Sequence, residues 1–154
     1  MYERILVPTD GSDVAENAVD HAMDLARRYD ATVHALYVVD VDAMEVSLGT
    51  EQIDRLRAGR FNEMDEVRER AEAATGYIAE AGDEFGVDVV EHVASGVPHR
   101  VVAKYAGNHD IDLVVMGSHG RSGVRRALLG SVTERVLRST HVPVLVVDVQ
   151  PDDG

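Results

Sequence analysis

The sequence has 154 residues, no cysteine and a formal net charge of −13, so one domain with one core is expected, without disulfide bonds or thiolate metal ligands. The acidic balance argues against a nucleic-acid partner, because DNA- and RNA-binding surfaces require clustered positive charge. No N-terminal charged-then-apolar segment occurs and no apolar run approaches the ~18 residues of a membrane span, so we expect a cytoplasmic protein without a membrane partner.

The start of the chain alternates between strand and helix patterns. Arg4 to Val7 is a short β-branched run that ends at Pro8 and predicts a buried first strand. Apolar residues then recur every three or four positions from Asp13 to about Asp30, which predicts a helix. Thr32 to Val39 predicts a second strand. A strand, a helix and a strand with short connections indicate a parallel pair with a right-handed crossover.

The rest of the chain continues this alternation. The predicted elements are a surface loop over Asp40 to Arg60, a helix over Phe61 to Phe85, a strand over Val87 to Ala94, a helix over Pro98 to Gly107, a strand over Leu113 to Met116, a helix over Ser131 to Ser139 and a strand over Val142 to Val149. Five strands alternating with helices indicate one α/β domain over residues 1–150, an open parallel sheet with helices on both faces. Residues 151–154 have the composition of a disordered tail.

Between the fourth strand and the last helix lies a glycine-rich loop. Gly117 to Gly120, nine further residues and then Gly130-Ser131 fit the spacing G-x-x-G-x9-G-[ST]. The chain has neither the G-x4-G-K-[ST] loop of P-loop proteins nor the dinucleotide pattern G-x-G-x-x-G. Ser131 followed by Glu134 predicts a capping box. A glycine loop before a helix N-terminus exposes backbone N–H groups to an anion, so phosphate is the expected ligand.

This pattern closely resembles the ATP-binding signature of the universal stress protein family. The resemblance extends from RILVPTDGS, Arg4 to Ser12, to HVPVLVV, His141 to Val147. It implies an adenine nucleotide alpha hydrolase-like fold with strand order 3-2-1-4-5. In that order the carboxyl ends of the first and fourth strands form a crevice for a ligand. The family also implies that Asp10 lies near the nucleotide, and that the backbone of Val38 and Val39 meets the adenine.

The candidate nucleotide-binding residues lie at these strand ends and along the glycine loop. They are Pro8, Thr9, Asp10, Val38, Val39, Met116, Gly117, Ser118, His119, Gly120, Arg121, Gly130, Ser131, Val132 and Thr133. Asp10 is also the metal candidate, because a carboxylate suits a Mg²⁺ or Mn²⁺ ion that bridges phosphates. Its alternative role is only to cap the turn or the first helix. No residue is predicted to be catalytic, since the sequence indicates neither a nucleophile nor an orienting carboxylate to work with His119.

The leading hypothesis is an ATP-binding sensor or regulator in stress response, with slow or no hydrolysis, that acts on an unknown protein partner. The chain has no P-loop lysine and no evident base to activate water, and phosphoryl transfer depends on such groups. A weak metal-dependent ATPase or nucleotidyl- or phosphotransferase and a nucleotide-free interaction module are the alternatives. We also expect a homodimer through the C-terminal strand, which is apolar and predicted at a sheet edge, as the family commonly has.

Overall fold

The computed structural model describes residues 1–40, 65–118 and 129–148. Its elements are β1 Arg4–Thr9, α1 Asp13–Tyr29, β2 Thr32–Asp40, α2 Asp65–Phe85, β3 Val89–Gly96, α3 Pro98–Asn108, β4 Leu113–Gly117, α4 Ser131–Ser139 and β5 Val144–Val147. The five strands pair in parallel in the order β3-β2-β1-β4-β5. The predicted fold class and strand order are therefore confirmed.

Both faces of β1, β2 and β4 are covered, which explains why these strands read as nearly continuous apolar runs. Ile5 and Val7 belong to a buried cluster with residues of α1 and α2. Leu6, between them in sequence, belongs to a second buried cluster with residues of α3 and α4. Alternate side chains of a strand point to opposite faces, so β1 contributes to two cores that lie on either side of the sheet.

Several strand ends differ from the prediction by one or two residues, among them those of β5, which spans Val144–Val147 where Val142 to Val149 was predicted. Two of the differences have an identifiable reason. β1 continues through Pro8 to Thr9, because its pairing with β4 ends at Leu6 and the missing N–H of Pro8 therefore removes no bond from that ladder. β3 begins at Val89 instead of Val87. The Val87 N–H donates to the Gly82 carbonyl at 2.8 Å, so this buried valine belongs to the turn that ends α2.

Several predicted features fall outside the described residues. They are the surface loop beyond Asp40, the first four residues of the predicted helix over Phe61 to Phe85, and the last residue of the predicted fifth strand together with the tail at 151–154. Within the described ranges, no helix is long and apolar enough to span a membrane.

A cluster of aromatic and histidine rings lies near the amino-terminal end of β2, at the opposite end of the sheet from the predicted crevice. The Nδ1 of buried His34 is hydrogen-bonded to the Tyr105 hydroxyl at 2.7 Å. His109 stacks on Tyr105 with ring centroids 3.8 Å apart, and His92 of β3 lies 5.3 Å from the same ring. Burial lowers the pKa of His34, and the nearby His109, Arg4 and His92 lower it further.

This cluster should make folding stability fall in mild acid. Because its pKa is lowered in the folded protein, His34 takes up a proton at a lower pH there than in the unfolded chain, where it does so near about pH 6.5. The unfolded state therefore binds more protons as the pH falls through that value, and the free energy of unfolding decreases. We expect a smaller urea midpoint at pH 5.5 than at pH 7.5, measured by circular dichroism.

The matched variant is His34→Gln, which keeps a side-chain oxygen for the Tyr105 hydroxyl but cannot be protonated in this range. Its loss of stability between pH 7.5 and pH 5.5 should be smaller than that of the wild type. Equal losses in the two proteins would assign the acid sensitivity to other groups.

Candidate functional site

The sheet reverses its winding between β1 and β4, which are neighbours although α1 lies against one face and α3 against the other. In open α/β sheets, ligands bind outside the carboxyl ends of the strands at such a switch point. The chain leaves β1 after Thr9 and β4 after Gly117. The two candidate segments are more than a hundred residues apart in sequence. They nevertheless begin on adjacent strands, at the carboxyl ends of both.

The turn after β1 is held by its own side chains. The Thr9 hydroxyl accepts the Gly11 N–H at 3.0 Å, and the Asp10 Oδ1 accepts the Ser12 N–H at 2.9 Å. Gly11 has a φ of 80°, which glycine adopts without the steric cost other residues meet. Ser12 is the N-cap of α1, and its hydroxyl accepts the Ala15 N–H at 3.3 Å. The Asp10 carboxylate is therefore fixed at the start of a helix beside the crevice.

The glycine loop departs from β4 at Ser118, which is bonded through its amide, its carbonyl and its hydroxyl. Its N–H donates to the Val147 carbonyl at 2.9 Å, and its own carbonyl accepts the Gly130 N–H at 2.7 Å. Its hydroxyl donates to the Asp148 Oδ1 at 2.8 Å. Ser118 thus joins β4 to the end of β5 and to the start of α4, and the residues that flank the glycine loop meet at its base.

The start of α4 differs from the predicted capping box. Gly130 is the N-cap, in an extended conformation with φ −70° and ψ 163°, and no side chain caps the helix. The Glu134 N–H donates to the Gly130 carbonyl at 3.0 Å, and the Glu134 carboxylate accepts from Arg138 at 2.8 Å. Ser131 is the first helical residue and is exposed. Its hydroxyl and the N–H groups of the first turn therefore lie at the helix end, where an anion is stabilised.

Some of the predicted site residues are buried, and they hold the ends of β4 and α4 in place. Thr133 is buried, and its hydroxyl donates to the Gly117 carbonyl at 2.9 Å, which fixes the first turn of α4 against the end of β4. Met116 is buried in the core on the α3 side, and Val132 packs against that core. These side chains position the backbone near the crevice.

Val38 and Val39, which the family resemblance predicts to meet the adenine, lie near the carboxyl end of β2. The pairing between β1 and β2 ends with Thr9 opposite Tyr37, so these two valines extend past the end of β1. On their other side they pair with Ala94 and Ser95 of β3. The Val39 side chain is fully buried, whereas Val38 is half-buried.

Three predicted site residues, His119, Gly120 and Arg121, lie outside the described residues. In the part of the chain that is described, no group of three or more histidine, cysteine or acidic side chains is arranged to hold a metal ion. Any metal ion bound at Asp10 would therefore need further ligands that do not come from a cluster of such side chains among these residues.

Sequence reasoning missed Asp148, which accepts the Ser118 hydroxyl. The two residues are 30 positions apart, and no local motif links them. The pairing of β4 with β5 in parallel, with Gly117 opposite Val147, places the residues that follow these strands side by side. Only the strand order combined with the strand ends could have indicated this contact.

The fold is of the adenine nucleotide alpha hydrolase-like class, with the crevice of that class between β1 and β4. The chain belongs to the universal stress protein family, whose sequence pattern it matches over residues 1–148. The predicted resemblance is therefore confirmed.

Individual relatives agree with this assignment. The chain is 39% identical to universal stress protein MJ0531 of Methanocaldococcus jannaschii, over 96% of this chain and 82% of that protein. The solved structure of MJ0577 from the same organism superimposes with a TM-score of 0.79 at 30% identity, covering 99% of each chain. A universal stress protein solved in complex with cAMP superimposes with a TM-score of 0.70 at 26% identity, covering 95% of this chain and 97% of that one.

Proposed function

We propose that this protein binds ATP in the crevice between β1 and β4 and acts as a nucleotide-responsive sensor or regulator in stress response. The observation that carries the proposal is the 2.7 Å hydrogen bond from the Gly130 N–H to the Ser118 carbonyl. It brings the two flanks of the glycine loop together at the N-terminus of α4, where phosphate is favoured. The cAMP complex of a structural neighbour supports an adenine nucleotide as the ligand class.

The crevice offers a separate group to each part of the nucleotide. The backbone of Val38 and Val39, which extends past the end of β1, would receive the adenine. Gly117, Gly130 and the exposed Ser131 would receive the phosphates, with His119, Gly120 and Arg121 completing the loop. The Asp10 carboxylate is half-buried, with Oδ1 bonded to the Ser12 N–H.

A Mg²⁺ or Mn²⁺ ion would enter with the nucleotide and not as a resident cofactor. A single carboxylate suits this arrangement, because Mg²⁺ is commonly bound by one or two carboxylates together with substrate phosphates and water. Asp10 would supply that carboxylate, and the ion would balance phosphate charge. Hydrolysis should be slow or absent, since the sequence offers no P-loop lysine and no evident base to activate water.

Titration calorimetry with Mg-ATP tests the proposal. The wild type should bind saturably, and Gly130→Val should weaken binding by more than about tenfold, a difference of about 1.4 kcal/mol. The extended conformation of Gly130 accepts valine without backbone strain, so the added methyl groups should obstruct the phosphate and leave the fold intact.

The matched control is Gly107→Val in α3, where nothing lies within 4 Å of an added Cβ. It should bind ATP like the wild type, and circular dichroism should show all three proteins folded. No binding by wild-type protein that was purified free of nucleotide would overturn the proposal and favour the interaction module.

We further propose that the protein is a homodimer that pairs through β5. This strand ends the strand order of the described sheet, and Leu145 within it is 37% exposed. An apolar edge strand exposes ladder groups that another chain can pair with. A two-fold axis beside β5 would join two sheets into one and cover this leucine.

A further inference from the structure

The hydrogen bond between Ser118 and Asp148 is not accounted for by ligand binding itself. Ser118 is 1% exposed, and a buried hydroxyl is costly unless it is hydrogen-bonded. An ionised acceptor makes the stronger kind of hydrogen bond, and Asp148 provides it at 2.8 Å. A carboxylate beside a phosphate site would repel the phosphate if it acted on it directly. Its placement is therefore better explained by what it does to Ser118.

Asp148 stands at one end of a series of hydrogen bonds that reaches α4. Its Oδ1 accepts the Ser118 hydroxyl, and the Ser118 carbonyl accepts the Gly130 N–H. The preceding residue, Val147, accepts the Ser118 N–H at 2.9 Å. The end of β5 thus contacts Ser118 twice, once through the backbone and once through a side chain, which restricts the orientation of this residue.

We propose that Asp148 is a positioning residue for the phosphate site: its carboxylate fixes Ser118, and through the Ser118 carbonyl it fixes Gly130 at the N-terminus of α4, where phosphate would bind. This inference rests on the proposed function and adds to it a residue outside the glycine signature. Asp148 would contribute to affinity by holding Ser118 and Gly130 in place before the ligand arrives, since preorganisation lowers the entropy lost on binding.

Two substitutions at this position separate the hydrogen bond from the charge. Asp148→Asn and Asp148→Ala both remove the negative charge, but only asparagine keeps an oxygen that can accept the Ser118 hydroxyl. We expect Asp148→Ala to bind ATP about tenfold more weakly than Asp148→Asn, the size of one typical hydrogen bond. Calorimetry on the full chain measures both. Asp148 is exposed, so both variants should fold.

Adenosine binding and a Ser118→Ala background test whether Asp148 acts on the phosphate site through Ser118. The two variants should bind adenosine equally, because it has no phosphate to meet the loop, whereas general damage to the fold would weaken both ligands. In a Ser118→Ala background, the difference in ATP affinity between the two variants should disappear. Hydrogen exchange at the Gly130 amide should be faster in Asp148→Ala than in Asp148→Asn.

The outcomes separate this inference from the proposed function. Equal ATP affinities of Asp148→Asn and Asp148→Ala, with ATP binding to the wild type intact, would overturn only the positioning role. A difference that persists in the Ser118→Ala background would also overturn it. A wild type that does not bind ATP would overturn the proposed function, and the inference with it.

Discussion

Replacing Leu145 with glutamate is expected to convert the proposed dimer into a monomer. Leu145 lies on the terminal strand β5 and is 37% exposed, so the substitution should cost little in an isolated chain. Across a two-fold axis it would place like charges near one another. Like charges directly opposite each other in a sheet are destabilising. The net charge of −13 per chain adds to the repulsion between copies.

Light scattering coupled to size exclusion measures this change directly. The wild type should have about twice the chain mass of 16.8 kDa, and Leu145→Glu should have the mass of one chain. Val90→Glu is the matched control, since Val90 is an exposed apolar residue on β3 at the opposite edge of the sheet. Dissociation by Val90→Glu alone would place the dimer contact at β3, and a wild-type monomer would reject the dimer.

Gly82→Ala is expected to destabilise the protein strongly, whereas Gly76→Ala in the same helix should not. A Cβ on Gly82 would lie 2.4 Å from Val89 Cγ2 and 2.8 Å from the Val87 carbonyl oxygen. The carbonyl belongs to the backbone, so relief requires α2 to move away from the turn that leads into β3. Overpacking of this kind costs roughly 1–3 kcal/mol, and the loss should appear as a lower urea midpoint.

Gly76 provides the internal control for this measurement. Nothing lies within 4 Å of a Cβ added there, and alanine in a helix interior is more favourable than glycine by roughly 0.5–1 kcal/mol. Gly76→Ala should therefore raise the urea midpoint. A Gly82→Ala variant as stable as Gly76→Ala would mean that α2 and β3 are not in close contact at this position.

The elements were predictable because the central strands β1, β2 and β4 are largely buried on both faces and each helix has one apolar side. Those patterns are local, and they located β1, β2, β4 and the helices α1 and α3 to within two residues. The strand order could not be predicted from these patterns, since periodicity does not determine which strands are neighbours. It came from the family resemblance, and only with it could the two halves of the crevice be placed together.

The errors occurred where a distant contact decides a local structure. Ser131 and Glu134 satisfy the capping-box spacing, yet Gly130 takes the N-cap because its N–H is bonded to the Ser118 carbonyl. The Asp148 contact belongs to the same kind, because it depends on how β4 and β5 end. No window of neighbouring residues contains these partners.

The hydrogen bond between Gly130 and Ser118 has a consequence for how the protein can change. It brings the two flanks of the glycine loop together in the folded chain, so the entropy of closing that segment is lost on folding and not when a ligand arrives. The closure cost grows slowly with length, by about 0.6 kcal/mol for each doubling. Insertions between these two anchors should therefore alter ligand preference with little effect on the sheet, which makes the segment a natural place for specificity to diverge.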